Sequence, residues 1–380
     1  MQSIETANAL PKSYAPRLEQ TRLRRILIKL FLICAGTGVG LSLSELAMRA
    51  LHIGHTNTVI RYNDRLLKLK PHIRFMNYLE NRNLVETNNL GFHDRERDTT
   101  NSNYRILFLG DSFLEGRQVP TEKVFTMRLE KKFVEGGQKI ETINGGVPGT
   151  GTPYQYVLWK DFFAPNIKFD RLVLCFNLGN DLRDNNVELA TTDTRLFVDS
   201  QGRILESGER PGLGKQTVNH VRDYSVMANT LYEAAYRVKQ SLAEGAGESG
   251  GAGPPEKESI ARPWADSAQG TIALVKKWKA EVAAQNLPFD MVIIERPGKL
   301  YNKFESDFIA QLQATCVEDG IDCLRLKLSS DPFESYSFDG IGLGHFNERG
   351  HELAADELYE YFKSRHPEIF KPGAQTANGN

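Results

Sequence analysis

The 380-residue chain has little cysteine: four residues, none in a CxxC pair. That excludes a disulfide-dense scaffold. The eight histidines are scattered, so a zinc ribbon or finger is excluded as well. Charge of one sign is not in excess. Lys and Arg number 47, Asp and Glu 48, for a formal net charge of −1. No long-range field therefore draws in nucleic acid. Mean hydropathy is −0.41 and long apolar runs are missing but for one, which excludes a multi-span membrane protein. Hydrophobic residues make up 40%, too many for a wholly disordered chain. What remains is an enzyme-sized globular body with a small attachment. At roughly 150 residues per domain the length allows two or three domains.

The attachment is the single apolar run. Residues 30–44 carry no charge. With its flanks, an apolar helix over 26–48 is long enough for a bilayer core of about 30 Å. Lys29 and Glu45 stand near its ends, where long side chains snorkel to the headgroups. A transmembrane helix over 26–48 is expected. Arg17, Arg22, Arg24 and Arg25 precede it and predict a cytoplasmic tail over 1–25 with the body exported to the periplasm or beyond. Arg49, Arg61 and Arg65 are a contrary signal. Ser42-Leu43-Ser44 would suit cleavage of a signal peptide, but the run is long for one, and an uncleaved anchor is the expectation. Gly36 and Gly40 form a GxxxG step that suits a homodimer. In an oxidising compartment Cys316 and Cys323 are close enough in sequence to pair. Cys34 and Cys175 read as small hydrophobes.

From residue 104 onward, short apolar runs alternate with amphipathic stretches. Strands are predicted over 105–109, 139–143, 172–176, 291–294 and 323–326. Helices are predicted over 124–135, 154–163, 270–285, 304–318 and 348–365. This alternation implies a five-stranded parallel sheet in a flavodoxin-like three-layer α/β/α domain over 104–371. Residues 49–103 read as a polar linker or lead-in. An insertion over 183–269 is expected to hold a hairpin, a helix near 219–242 and a disordered Gly/Pro/Glu/Ser loop over 244–258. A disordered tail is expected over 372–380.

In such sheets ligands bind at the carboxyl ends of the strands. Four polar elements fall there or near the last helix. Gly110-Asp111-Ser112 follows the first strand. A Ser on a strand-to-helix turn presents its hydroxyl beside backbone N–H groups, which suits a nucleophile next to a developing oxyanion. Asn144 to Gly149 (NGGVPG) follows the second strand, where glycine lets a backbone N–H approach a ligand closely. Gly179-Asn180-Asp181 follows the third, and an Asn amide there can donate to an oxyanion. Asp339 to His351 (DGIGLGHFNERGH) precedes the last helix, and its loop can deliver His345 to the same edge as a base. Each also has a structural reading, as turn or helix cap. His351, well into the helix, reads as structural.

The order Ser, Gly, Asn, His at these edges resembles the SGNH (GDSL-like) hydrolase superfamily over about residues 105–362, interrupted by the insertion. The matching positions are Ser112, Gly149, Asn180 and His345. A span, a lead-in and the N-x-x-G-F motif (Asn88-Asn89-Leu90-Gly91-Phe92) are similar to its membrane-anchored bacterial members. The resemblance implies a cofactor-free ester hydrolase of the cell envelope. Ser112 would be the nucleophile and His345 the base. The Ser112 and Gly149 N–H groups and the Asn180 side chain would form the oxyanion hole. The implied substrate is an O-acetyl ester of surface polysaccharide. An O-acetyltransferase, a lipid or carboxylester esterase, and a catalytically weak glycan-binding or assembly protein are the alternatives. One position departs from the pattern. The superfamily has Asp three residues before its catalytic His, and here that position is Gly342. The nearest upstream acid, Asp339, is the expected third member.

Overall fold

The computed structural model describes residues 15–51, 53–78, 80–100, 103–190, 196–206, 213–247, 258–295, 301–328, 335–338 and 344–371. The chain divides into two compact units, 1–57 with 217–241, and 58–216 with 242–380. It opens with α1 (Ala15–Ala50), then two hairpins, β1 (Val59–Arg61) with β2 (Leu67–Leu69) and β3 (Arg74–Asn77) with β4 (Asn83–Glu86). There follow β5 (Tyr104–Gly110), α2 (Ser112–Glu115), α3 (Phe125–Glu135), β6 (Ile140–Gly146), α4 (Thr152–Leu158), α5 (Ala164–Asn166), β7 (Arg171–Asn177) and α6 (Asp181–Asp184). The insertion supplies β8 (Leu196–Val198), β9 (Ile204–Glu206), α7 (Leu213–Tyr224) and α8 (Val226–Gly247). The chain then adds α9 (Glu258–Ala283), β10 (Phe289–Ile294), α10 (Lys303–Glu318), β11 (Asp322–Arg325) and α11 (Glu348–Arg365).

In the larger unit five strands form one sheet in the order β11-β10-β7-β5-β6, every pair parallel. Numbered within the sheet this is 2-1-3-4-5, the flavodoxin-like order. Alternate residues face opposite layers. Leu107, Leu109, Leu172, Leu174, Phe176, Met291 and Ile293 pack with Trp278 of α9 and Phe308 of α10. Ile106, Phe108, Val173, Cys175, Val292 and Ile294 pack with Phe125 and Phe133 of α3 and Leu358 and Phe362 of α11. Burial on both faces explains why the strands read as continuous apolar runs. Cys316 at the end of α10 and Cys323 in β11 form a disulfide.

Residues 58–100, read from the sequence as polar linker, fold within this unit. The reason is that their polar groups pair inward. Asn88 Oδ1 accepts from the N–H groups of Leu90 and Phe92, both at 3.0 Å, and its amide donates to Arg95 O at 3.0 Å. Arg97 is buried. It donates to Asp94 at 2.7 Å, to Glu130 of α3 at 2.8 Å and to the Thr142 carbonyl of β6. Asp94 in turn accepts from Asn144 N–H at 3.1 Å. The lead-in is thus tied to the second strand of the sheet.

The insertion holds its hairpin, β8 with β9, as expected. The helix expected near 219–242 is two helices, because Ser225 interrupts it and caps α8, its Oγ accepting from Ala228 N–H at 3.0 Å. The loop expected over 244–258 falls mostly, and the tail over 372–380 wholly, outside the described residues. In the smaller unit, an 18-residue stretch within residues 24–50 of α1 has a mean hydropathy of 2.1 and no buried residue. Among the described residues this is the one helix long and apolar enough to cross a membrane.

Arg97→Ala leaves the buried Asp94 carboxylate without its arginine and removes one of the two arginines that pair with Glu130. It is expected to lower unfolding free energy by about 3–5 kcal/mol, read by urea denaturation. A loss within experimental error would contradict the pinning role.

Candidate active site

The carboxyl edge of the sheet gathers the expected residues. Ser112 begins α2 directly after β5, and Asp111 caps that helix, accepting Phe113 N–H at 2.9 Å. The turn is tight because β5 and β6 run side by side to Gly110 and Gly146. A Cβ on Gly146 would lie 2.3 Å from Glu115 N, so only glycine lets α2 sit this close. Gly149 follows on the loop after β6 with φ +66°, again a glycine conformation. Asn180 follows β7 and precedes α6. Its amide donates to Asp184 at 3.3 Å, and its Oδ1 is buried without a hydrogen-bond partner among the described residues.

His345 reaches this edge from the segment before α11. Its Nε2 lies 2.8 Å from Ser112 Oγ. Its ring packs on Phe113 with centroids 4.8 Å apart. Its Nδ1 lies 2.5 Å from Glu80 Oε2, and its backbone N–H donates to Glu80 Oε1 at 3.2 Å. The Glu80 carboxylate is fully buried. With a carboxylate on Nδ1, that nitrogen carries the proton and Nε2 is the acceptor facing Ser112. The place expected for Asp339 is therefore held by Glu80. Asp339 itself lies outside the described residues.

Glu80 comes from the turn between β3 and β4. Its φ is +62°, uncommon for a residue with a side chain and worth about 1–2 kcal/mol of strain. The hairpin around it is clamped to the segment after α2. Asn83 Nδ2 donates to the Arg117 carbonyl at 3.0 Å and the Val119 carbonyl at 2.7 Å, and Asn81 Nδ2 donates to the Gln118 carbonyl at 3.0 Å. No sequence motif marks Glu80. Its one signal is indirect, Gly342 at the position where the resemblance leads one to expect an acid.

Beneath Ser112 lie two further acids. Asp111 Oδ2 accepts from Asn177 Nδ2 at 2.8 Å, and Asp181 Oδ2 accepts from Asn177 N–H at 3.0 Å. Burial pushes the Asp111 carboxyl up, while Asn177, Phe113 N–H and His345 pull it down. Asp181 is held well above the ordinary carboxylate range, by burial first and then by the neighbouring Asp111 charge. His351 is buried, and its Nδ1 accepts from Phe125 N–H at 3.2 Å, a structural use. Burial drives it down to about 3.

At the opposite sheet edge Asp290, Asp322 and His366 converge beside a cavity of about 270 Å³. Arg171 donates to Asp290 at 2.6 Å and lies 3.2 Å from His366 Nε2. A guanidinium thus stands where a metal cation would sit, and the cluster reads as an ion-pair network.

No protein-family model matches the chain, and no curated protein matches it. Among solved structures it is similar to a lipase/acylhydrolase from Enterococcus faecalis, with 13% identity, 69% of this chain and 96% of that chain covered, and a TM-score of 0.38. It is similar to an esterase from Pseudoalteromonas with 13% identity, covering 68% and 97%, at a TM-score of 0.38. It is also similar to an acetylxylan esterase from Geobacillus stearothermophilus, a catalytic mutant, with 11% identity, covering 70% and 96%, at a TM-score of 0.36. Likenesses this distant leave the chemistry to be read from the site itself.

The raised Asp181 carboxyl has a signed consequence for stability. The folded chain binds this proton where the unfolded chain, titrating near 3.8, has released it. Stability from this group is therefore present at low pH and is lost as pH rises above 3.8, by up to about 1.4 kcal/mol per pH unit. Asp181→Asn keeps an acceptor for Asn177 N–H and removes the titration. Its stability, followed by denaturant titration from about pH 4 upward, should fall less with pH than that of the native chain. Parallel curves would contradict the assignment.

Proposed function

We propose that this chain is a serine esterase of the SGNH (GDSL-like) type, anchored in a membrane and acting in the cell envelope. One observation carries the reading, the continuous contact from Glu80 through His345 to Ser112. A buried carboxylate, an imidazole and a hydroxyl at 2.5 and 2.8 Å are the parts needed to activate a weak nucleophile.

His345 takes the proton from Ser112 as Oγ attacks the ester carbonyl. Glu80 holds the imidazole in the right tautomer and stabilises the imidazolium. The oxyanion is received by the Ser112 and Gly149 N–H groups and the Asn180 amide, whose long bond to Asp184 is readily redirected. Removing one such donor typically costs about 100- to 1,000-fold in rate. His345 then protonates the leaving alcohol, and water resolves the acyl group on Ser112 with His345 again as base. Glu80 replaces Asp339 as the orienting acid in this scheme.

The substrate we propose is an O-acetyl ester of an envelope polysaccharide. The helix over 26–48 serves as the anchor, with the arginines before it on the cytoplasmic side. The disulfide between Cys316 and Cys323 suits an oxidising compartment for the catalytic unit. Gly36 and Gly40, which face open space on α1, are the proposed face for pairing of two anchors.

The test is acetate release from acetylated polysaccharide by the native chain and by Ser112→Ala, together with fluorophosphonate labelling. The native chain should release acetate faster than it cleaves long-chain synthetic esters, and should label at one serine. Ser112→Ala should do neither while keeping its fold by circular dichroism. Undiminished turnover by that variant would contradict the assignment.

A further inference from the structure

We propose that the insertion helices joined to the anchor form an interfacial collar, seated in the lipid headgroup layer. The inference rests on α1 spanning the membrane as proposed above. Its basis is an inversion of the usual surface pattern within the smaller unit. Of the residues of α7 and α8 between 217 and 235, the exposed ones are Thr, Val, His, Tyr, Leu and Ala, with no Asp, Glu, Lys or Arg among them. Val221 is 48% exposed, Tyr224 70% and Leu231 63%. The charged residues of the same stretch, Arg222, Asp223 and Glu233, are half-buried, and each is held by a side-chain hydrogen bond. Arg222 donates to Asn229 at 2.9 Å and stacks on Tyr232 at 3.6 Å. Asp223 accepts from Asn57 at 3.0 Å, and the fully buried Asn229 donates to the His55 carbonyl at 2.9 Å.

A helix surrounded by water hides its apolar face and shows its charges. Here the charged side chains are half-buried and paired, and the exposed ones are mostly apolar, which suits an apolar surrounding. The collar is also fixed at one depth. Glu45, at the end of the apolar run, accepts the N–H groups of Val226 and Met227 at 2.9 and 3.0 Å and so caps α8. Arg49 donates to the Tyr224 carbonyl at the end of α7. An anion at a helix start and a cation at a helix end are both favourable. This junction sets the first turn of α8 and the last of α7 level with the end of the span. The last turn of α1 adds exposed apolar side chains at the same level, Leu46 and Leu51 at 64% and 68%, beside the half-exposed Arg49. An aromatic ring such as Tyr224 is at home at that depth. The occupant is therefore lipid, contacted by the side chains around the last turn of the anchor.

The test uses the full chain in vesicles of phosphatidylethanolamine and phosphatidylglycerol. Single cysteines carry an environment-sensitive fluorophore, with lipids brominated near the headgroup end of their chains as quencher. Val221→Cys and Tyr224→Cys are made with Cys34→Ser. Native Cys34 reports on the span, with deeply brominated lipid, and Val317→Cys reports on solvent. Labels at 221 and 224 should lose emission roughly two-fold with shallow bromines, as for a helix lying about 5–10 Å into the headgroup and acyl boundary. The label at 317 should be unaffected. If Cys34 is quenched but 221 and 224 emit as in water, the collar is overturned and the anchor stands. If Cys34 is not quenched either, both readings fall. If 221 and 224 are shielded from water yet blind to bromine, a protein covers them and the lipid assignment is wrong.

Discussion

The account depends on one buried contact, the 2.5 Å approach of the Glu80 carboxylate to His345 Nδ1. Without it the imidazole has no fixed tautomer, and its 2.8 Å contact to Ser112 Oγ loses direction. The carboxylate comes from a hairpin that precedes the sheet in sequence. Everything that holds this hairpin down is therefore part of the site. Asn81 and Asn83 do so locally, through three main-chain carbonyls after α2. The Asp94–Arg97–Glu130 group does so at longer range, by tying the following segment to α3 and β6. A strained backbone at Glu80 is tolerated because these contacts over-determine its position.

The electrostatics are layered below Ser112. Asn177 feeds one hydrogen bond to Asp111 and another to Asp181, so one side chain and its backbone organise both acids. Two buried carboxyls this close do not both ionise freely, and Asp181 is the one pushed furthest up. Asp111 is left to cap α2 and hold the turn that presents Ser112. The helix start, the cap and the close passage at Gly146 are one local solution to aiming a hydroxyl out of a sheet edge.

Much of this was legible in the sequence, for physical reasons that differ element by element. Strands buried on both faces leave apolar runs, so the five strands and their helices could be read, and α11 falls at 348–365 as expected. The placement of Ser112, Gly149 and Asn180 after strand ends was legible because turn residues mark those ends. His345 was legible from its place before the last helix. Glu80 was not, because a contact between residues 265 positions apart leaves no periodicity or spacing. The packing of the lead-in was not legible, since its stability comes from polar groups pairing with one another, and composition registers only their polarity. The split between α7 and α8 turns on a single capping Ser225.

In the proposed mechanism Glu80, not Asp339, orients the imidazole of His345. Proton NMR of the full chain with labelled histidine tests it most directly, through the far-downfield Nδ1–H resonance of a histidine hydrogen-bonded to a buried carboxylate. The account predicts that this resonance is present in the native chain, absent in Glu80→Gln and retained in Asp339→Asn. Its persistence in Glu80→Gln and loss in Asp339→Asn would contradict the account.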